Sequence, residues 1–311
     1  MEAKRGAVQT LVSNLSSVSE RTRINALCEL RTMSMKDPET RPVISEAGTI
    51  PYLVETLYSS SHPAQQNAAS TLRNLSLTEK ETIMSTRGIL DALAHVISHH
   101  SSTSSAAAVQ ASAATIHHLL SRVDDYRTVV GSKREIVYAL IDILRCHHSS
   151  PPRTVKNALK ALCAIALHPL NCAFMVQFGV VSDLFSLVVN DRRVGILEDA
   201  TSVIAQVACC DESLEAFPKV SGIKLLTDLL HFPNDFSIRT MENAVCALLN
   251  LVRCGGDAMA GNVRNYFLNK YDGIVYVIDD GSSKMKKMAT ELLQVLLDEF
   301  GFSKMPHCNY S

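Results

Sequence analysis

The sequence predicts an all-α solenoid in which one helical unit, copied about seven times, stacks along residues 1–303. Three observations predict it. Nearly the same ten letters are written three times: NAASTLRNLS (67–76), NALKALCAIA (157–166) and NAVCALLNLV (243–252). The small polar residue that opens this motif recurs as Asn25, Asn67, Ser112, Asn157, Asp199 and Asn243, with Met288 in the equivalent place at the end. The steps are 42, 45, 45, 42, 44 and 45 residues. A period in the forties belongs to helical solenoids or propeller blades. Apolar spacing decides between them. Counting the opening residue as zero, positions 1, 5 and 8 hold Ala26, Leu30, Met33; Ala68, Leu72, Leu75; Ala158, Leu162, Ile165; Ala244, Leu248, Leu251; and Ala289, Leu293, Leu296. Four then three is one face of a helix, and no strand alternation is sustained. Blades would also need many glycine-bearing hairpins, and Gly is only 13 of 311.

In chain order, the units start near residues 6, 40, 79, 123, 169, 211 and 256. AVQTLVSNLSS (7–17) reads as a middle helix without the short helix before it, either a natural cap or the edge of something longer. Each later unit reads as short helix, corner, middle helix, loop and long helix. The middle helices are IPYLVETLYSS (50–60), LDALAHVISHH (90–100), IVYALIDILRC (136–146), VSDLFSLVVND (181–191) and IKLLTDLLHFP (223–233). Before them, SEAG (45–48), STRG (85–88), VQFG (176–179), KVSG (219–222) and KYDG (270–273) end in a glycine that lets the chain turn sharply. Pro63, Pro151 and Pro152 mark the entry to long helices, where a missing N–H is tolerated. RCGGDAMAG (253–261) reads as a helix exit, and HHSSTSSAAAV (99–109) as a hydroxyl-rich connector that could also be phosphorylated. IVYVIDD (274–280) would suit a strand in isolation, but its register makes it a stunted middle helix. KMPHCNYS (304–311) should fray.

One unit cannot bury its apolar faces alone, so the repeated letters are contacts to the next copy. Composition agrees: 47% hydrophobic and 20% charged residues suit a packed fold. A net charge of −1, a pI near 6.8 and the absence of Trp argue against a nucleic-acid binder. No apolar run approaches the roughly 18 to 20 residues of a membrane span. Nine scattered cysteines and a polar start, MEAKRGAVQT, indicate a reducing compartment, cytoplasmic and by extension nuclear, with the thiols acting as small core hydrophobes.

Three helices, a glycine corner and a long last helix resemble the armadillo repeat. The resemblance implies a right-handed α/α superhelix. EAGTIPYLVETLYSSSHPAQQNAASTLRNLSL (46–77), TMENAVCALLNLVRCGGD (240–257) and GSSKMKKMATELLQVL (281–296) look more narrowly like repeats of the plant U-box/armadillo family. Ligases of that family resemble one another in a U-box, which docks the ubiquitin-charged E2. No such opening is found in this sequence. The resemblance therefore implies a non-enzymatic scaffold that binds a protein or peptide partner, with a substrate-recognition part of a U-box-type ubiquitin ligase as the alternative.

In an armadillo-like stack the long helices line a concave groove. Positions 3 and 7, with −1 and 6, share the flank that should face it. Row 3 reads Cys28, Ser70, Thr115, Lys160, Ser202, Cys246, Glu291; row 7 reads Thr32, Asn74, Leu119, Ala164, Gln206, Asn250, Val295. Import receptors of this type carry Trp in row 3 and Asn in row 7. The Trp ladder is absent, so an import-receptor role is not expected. The candidate groove residues are Arg31, Thr32, Ser70, Arg73, Asn74, His118, Lys156, Lys160, Gln206 and Asn250. Arg31, Arg73, His118, Lys156 and Lys160 make the first half basic, and Glu198, Glu242 and Glu291 make the second acidic, interrupted by Lys287. Two readings stand: a polarised groove for an acidic or phosphorylated segment, or an ordinary solvated face.

Catalytic residues, cofactors and metals are not expected. His99–His100 and Cys146–His147–His148 read as helix-end capping, without the paired Cys-x-x-Cys spacing of a zinc site. His117–His118 reads as groove surface, one ring out and one in. The sequons at Asn14, Asn74 and Asn309 read as accidents, and the chain is expected to be a monomer.

Overall fold

The computed structural model describes residues 2–297 except 101–102, 122, 232–234 and 268–270; the tail expected to fray at 304–311 lies outside them. Every regular element among the described residues is an α-helix. The residues group into two compact units, Met1–Ile165 and Ala166–Ser311. Copies in a stack hold chiefly to their neighbours, so a long one has no single centre.

The first unit opens with a pair, α1 (Glu2–Leu15) and α2 (Glu20–Lys36). Three triplets follow: α3 (Thr40–Glu46), α4 (Thr49–Thr56) and α5 (His62–Leu75); α6 (Lys80–Ser85), α7 (Ile89–Ser98) and α8 (Ala106–Leu120); α9 (Asp125–Ser132), α10 (Arg134–Arg145) and α11 (Pro152–Ala166). The second unit holds α12 (Pro169–Gln177), α13 (Val180–Asn190) and α14 (Val194–Val207), then α15 (Glu212–Lys219), α16 (Gly222–His231) and α17 (Ile238–Phe267), then α18 (Asp272–Asp280) and α19 (Ser283–Leu297). Long helices pack on long helices, α2 on α5 on α8 in the first unit and α14 on α17 on α19 in the second.

The repeated letters do what their size suggests. Ala26, Ala68, Ala113, Ala158, Ala200, Ala244 and Ala289 are each 2% exposed or less, which lets neighbouring helices approach. Leu30, Leu72, Leu162, Ile204 and Leu248, four residues on, are fully buried. The ends of the series deviate: Met33 is half-buried, and in α19 Leu292 takes the core place expected for Leu293.

Three of the five glycine corners are true left-handed turns, with φ of 75° at Gly48, 78° at Gly88 and 85° at Gly179. The other two glycines are present for a different reason. At KVSG the positive φ belongs to Ser221, at 54°, and a Cβ on Gly222 would meet the Phe185 ring at 2.7 Å. At KYDG, Gly273 lies inside α18, where a Cβ would run into the Leu230 carbonyl. Both allow close packing of one element on another.

RCGGDAMAG is more than a helix exit. Gly256, at φ 60° and ψ −150°, breaks α17 into two helical arms, and the second supplies the short helix of the last copy. IVYVIDD is helical, as its register requires. The connector expected over 99–109 is shorter, because α8 begins at Ala106 behind Ser105, whose hydroxyl caps the Ala108 N–H.

Candidate protein-binding groove

Hydrogen bonds between copies repeat the period of the sequence. In the first unit, Asn74 Nδ2 donates to the Arg31 carbonyl at 3.3 Å and Asn157 Nδ2 to the Gln110 carbonyl at 3.1 Å. In the second, Asn243 Nδ2 donates to the Glu198 carbonyl at 3.0 Å and Asn250 Nδ2 to the Ala205 carbonyl at 2.9 Å. Each asparagine thus reaches a carbonyl of the preceding copy's long helix. Such a carbonyl has a second lone pair beyond its helical bond, so the staple does not unwind the turn.

The amide of Asn74 is fully engaged. Its second N–H goes to Ser34 Oγ at 3.0 Å, and its Oδ1 accepts from Arg73 at 3.2 Å. Asn74 therefore holds the stack together and keeps no amide hydrogen for a bound segment, contrary to the role a row-7 Asn has in import receptors.

The other candidates of the first unit are placed as follows. Thr32 is half-buried and bonds its own helix through the Cys28 carbonyl at 2.8 Å; Ser70 is buried near the surface. Arg31, Arg73, Lys156 and Lys160 are half-exposed on the long helices. In α8 the expected flank turns inward: Thr115 and Leu119 are both fully buried, the Thr115 hydroxyl satisfied by the Ala111 carbonyl at 2.9 Å.

Charge is concentrated around Arg73. Its guanidinium is held below the usual arginine range, first by burial and then by Arg31 beside it. Among the described residues, no carboxylate pairs with Arg31, Arg73 or Lys160. His118 stands next to this group, but the sequence overstated its charge. Burial, then His117, Arg73 and Lys80, push its pKa down to about 4, so near neutrality the ring is uncharged. It is fixed by Ser76, 3.0 Å from Nδ1; the Ser76 hydroxyl donates to the Arg73 carbonyl and leaves a lone pair for a His118 N–H. His117 is also lowered, by burial and by Lys160. Both rings are half-buried, not one out and one in. Lys80, on the short helix α6, joins this cluster; the long-helix pattern gave no signal for it.

The rows of the second unit differ. Gln206 and Asn250 are half-buried. Glu198 accepts from Ser237 at 2.8 Å, Glu242 from the Ser282 N–H at 2.5 Å, and Glu291 from two nitrogens of Arg253 at 3.0 and 2.6 Å. All three acids of the sequence pattern have partners inside the unit.

The histidines at the middle-helix ends are also linked by period. His100 Nε2 lies 3.0 Å from Asp142 Oδ2, and Cys146 is close enough that these three could share a cation. Arg145 reaches the same carboxylate at 3.5 Å, so the His100–Asp142 contact is an inter-copy bond whose carboxylate also meets a guanidinium. The thiols depart from expectation: Cys172 and Cys246 are buried, while Cys28 and Cys209 are exposed and are no core hydrophobes.

The model of the plant U-box protein ARM repeat region matches residues 7–309. The chain belongs to that family. It is 32% identical over 265 residues to U-box domain-containing protein 17 of Arabidopsis thaliana, covering 85% of this chain and 35% of that protein. With U-box domain-containing protein 16 of the same plant it shares 27% over 237 residues, 76% of this chain and 33% of the relative. The chain thus spans about a third of the length of these relatives. Among solved structures, an engineered protein superposes with a TM-score of 0.79 at 22% identity, over 94% of this chain and 69% of that one. A designed armadillo repeat protein in complex with the peptide (KR)4 superposes with a TM-score of 0.50 at 18% identity, over 93% and 99%. The fold is an armadillo-type solenoid.

Proposed function

We propose that this armadillo region is a non-enzymatic protein-binding scaffold, and that the long-helix face around Arg31, Arg73 and Lys160 takes an acidic or phosphorylated segment of its partner. One observation carries the reading: among the described residues these cations have no carboxylate partner, whereas Glu198, Glu242 and Glu291 of the second unit already accept hydrogen bonds within it. A cationic face with no internal counter-charge gains most from an external one, and the guanidinium of Arg73 suits bidentate carboxylate or phosphate. The designed relative binds an alternating Lys–Arg peptide. The sign of the cluster here argues for the opposite ligand. Family membership and the U-box relatives favour a second reading on a larger scale, in which the region selects substrates for a U-box-type ubiquitin ligase.

A fluorescent peptide of alternating phosphoserine and glutamate, titrated against wild type and the Arg73→Glu/Lys160→Glu double variant, tests the site. Affinity should fall at least about tenfold, equivalent to ~1.4 kcal/mol, and wild-type binding should weaken with salt. Equal affinity, with the helical circular dichroism unchanged, would end this reading. For the larger role, the isolated chain should fail to discharge a ubiquitin-charged E2, while a protein joining it to a U-box should modify bound substrate only when Arg73 and Lys160 are intact.

A further inference from the structure

The sulfurs of Cys172 and Cys209 meet at 3.9 Å. Their surroundings differ in a way that divides the work of an oxidation. Cys209 lies exposed in the turn between α14 and α15. Cys172, on α12, is fully buried, its sulfur 3.3 Å from the Ala166 carbonyl and 3.6 Å from that of Gln206. We propose that this pair is a peroxide-responsive modification site, with Cys209 as the thiol that reacts and Cys172 as the thiol that closes a disulfide behind it.

The chemistry follows from access. A thiolate at Cys209 attacks one oxygen of a hydroperoxide. The S–O bond forms, the O–O bond breaks, and the leaving oxygen takes a proton as water or an alcohol. The sulfur is oxidised by two electrons to a sulfenic acid. Cys172 then attacks that sulfur: the S–S bond forms, the S–O bond breaks, and the Cys172 proton departs with the hydroxide as water. Ionisation favours the same assignment. The hydrogen bond with the Cys172 sulfur, opposed by burial, holds Cys209 down to about 7, and Cys172 is pushed up by that bond and by burial. The neighbouring thiols are poorer candidates: burial raises Cys210, Cys246 and Cys254, the last to about 11. The disulfide would tie α12 to the α14–α15 turn, beside Gln206. A transient disulfide of this kind is the usual form of redox response in a reducing compartment.

The test uses the full chain with equimolar hydrogen peroxide at neutral pH, followed by peptide mapping without reductant. Peptides carrying Cys172 and Cys209 should appear joined, and dithiothreitol should separate them. In Cys172→Ser, Cys209 should accumulate as a sulfenic acid trapped by dimedone; in Cys209→Ser, Cys172 should stay reduced. Iodoacetamide should label Cys209 at pH 7 about threefold faster than a free-cysteine peptide, its larger thiolate fraction outweighing the lower nucleophilicity of a more acidic thiol. Mapping of the wild type alone suffices if a variant fails to fold. Cys209 remaining a free thiol, or joining Cys210 or Cys254 instead, would overturn the proposal.

Discussion

The two units use the same scaffold letters and opposite charge arrangements. In the first, Asn74 ties α5 to α2 and Asn157 ties α11 to α8; in the second, Asn243 and Asn250 both tie α17 to α14. The charges around these staples differ. Among the described residues Arg31, Arg73 and Lys160 pair with no carboxylate, while Glu198, Glu242 and Glu291 are each bonded within their own unit. The comparison teaches that the repeated positions specify the stack and the unrepeated ones decide which stretch of it is left with something to bind. A surface charge pattern read from sequence overstates a groove wherever neighbours within the fold already engage the charged groups.

The largest effect available should be blind to this difference. Leu72→Ala in the first unit and Leu248→Ala in the second both empty fully buried positions, and each should cost roughly 2–5 kcal/mol by urea denaturation. A cost confined to one unit would show that the shared letters do not carry equal weight. Next comes the glycine contrast. Gly273→Ala places a Cβ against the Leu230 carbonyl, an overpacking that should cost about 1–3 kcal/mol. Gly48→Ala meets no atom and pays only for its φ of 75°, about 1 kcal/mol. The reverse order would mean that α18 yields more readily than the corner of α3 and α4. The asparagines follow. Asn74→Ala and Asn250→Ala each remove an inter-copy bond and should lower stability by about 1–2 kcal/mol. The Asn74 change should be the larger of the two, because its amide also serves Ser34 and Arg73.

How much of this was legible follows from the range of each cause. The Ala and Leu rows were readable because helix periodicity and side-chain size are local properties, and the corners at Gly48, Gly88 and Gly179 because a left-handed turn is local too. Gly222 and Gly273 looked identical to them in sequence, yet their reasons are Phe185 and Leu230, residues a stretch of chain away. The asparagines were visible as repeated letters but not as staples, since the partner is a main-chain carbonyl some forty residues earlier and every residue has one. The inward turn of Thr115 and Leu119, and the exposure of Cys209, depend on how α8 and the α14–α15 turn pack. Of the candidate site, the identity of the cations could be read. Their lack of partners, and the contrasting engagement of the acids, could not.

The smallest effect concerns the ring whose charge the sequence misjudged. His118 titrates near 6.5 when unfolded and near 4 in the fold, chiefly because burial disfavours its charged form. Between those values the unfolded chain binds the proton and the native chain does not, so acid favours unfolding. The stability contributed by the neutral ring is intact above about pH 6.5 and is lost as the pH falls toward 4. Because the ring is only half-buried, solvent discounts the loss to about 1 kcal/mol. Other groups titrate in the same range, so the decisive quantity is the difference between wild type and His118→Asn, which keeps a donor toward Ser76 without a titrating ring. Urea midpoints measured from pH 7 to 4.5 should converge as the wild type loses its advantage; parallel curves would show that His118 is not held neutral. An anionic segment seated beside Arg73 would oppose the desolvation and raise the His118 pKa. Under the groove reading, then, binding of an all-glutamate peptide, which stays ionised over this range, should tighten as the pH falls from 6.5 toward 5.5 in wild type and respond less in His118→Asn.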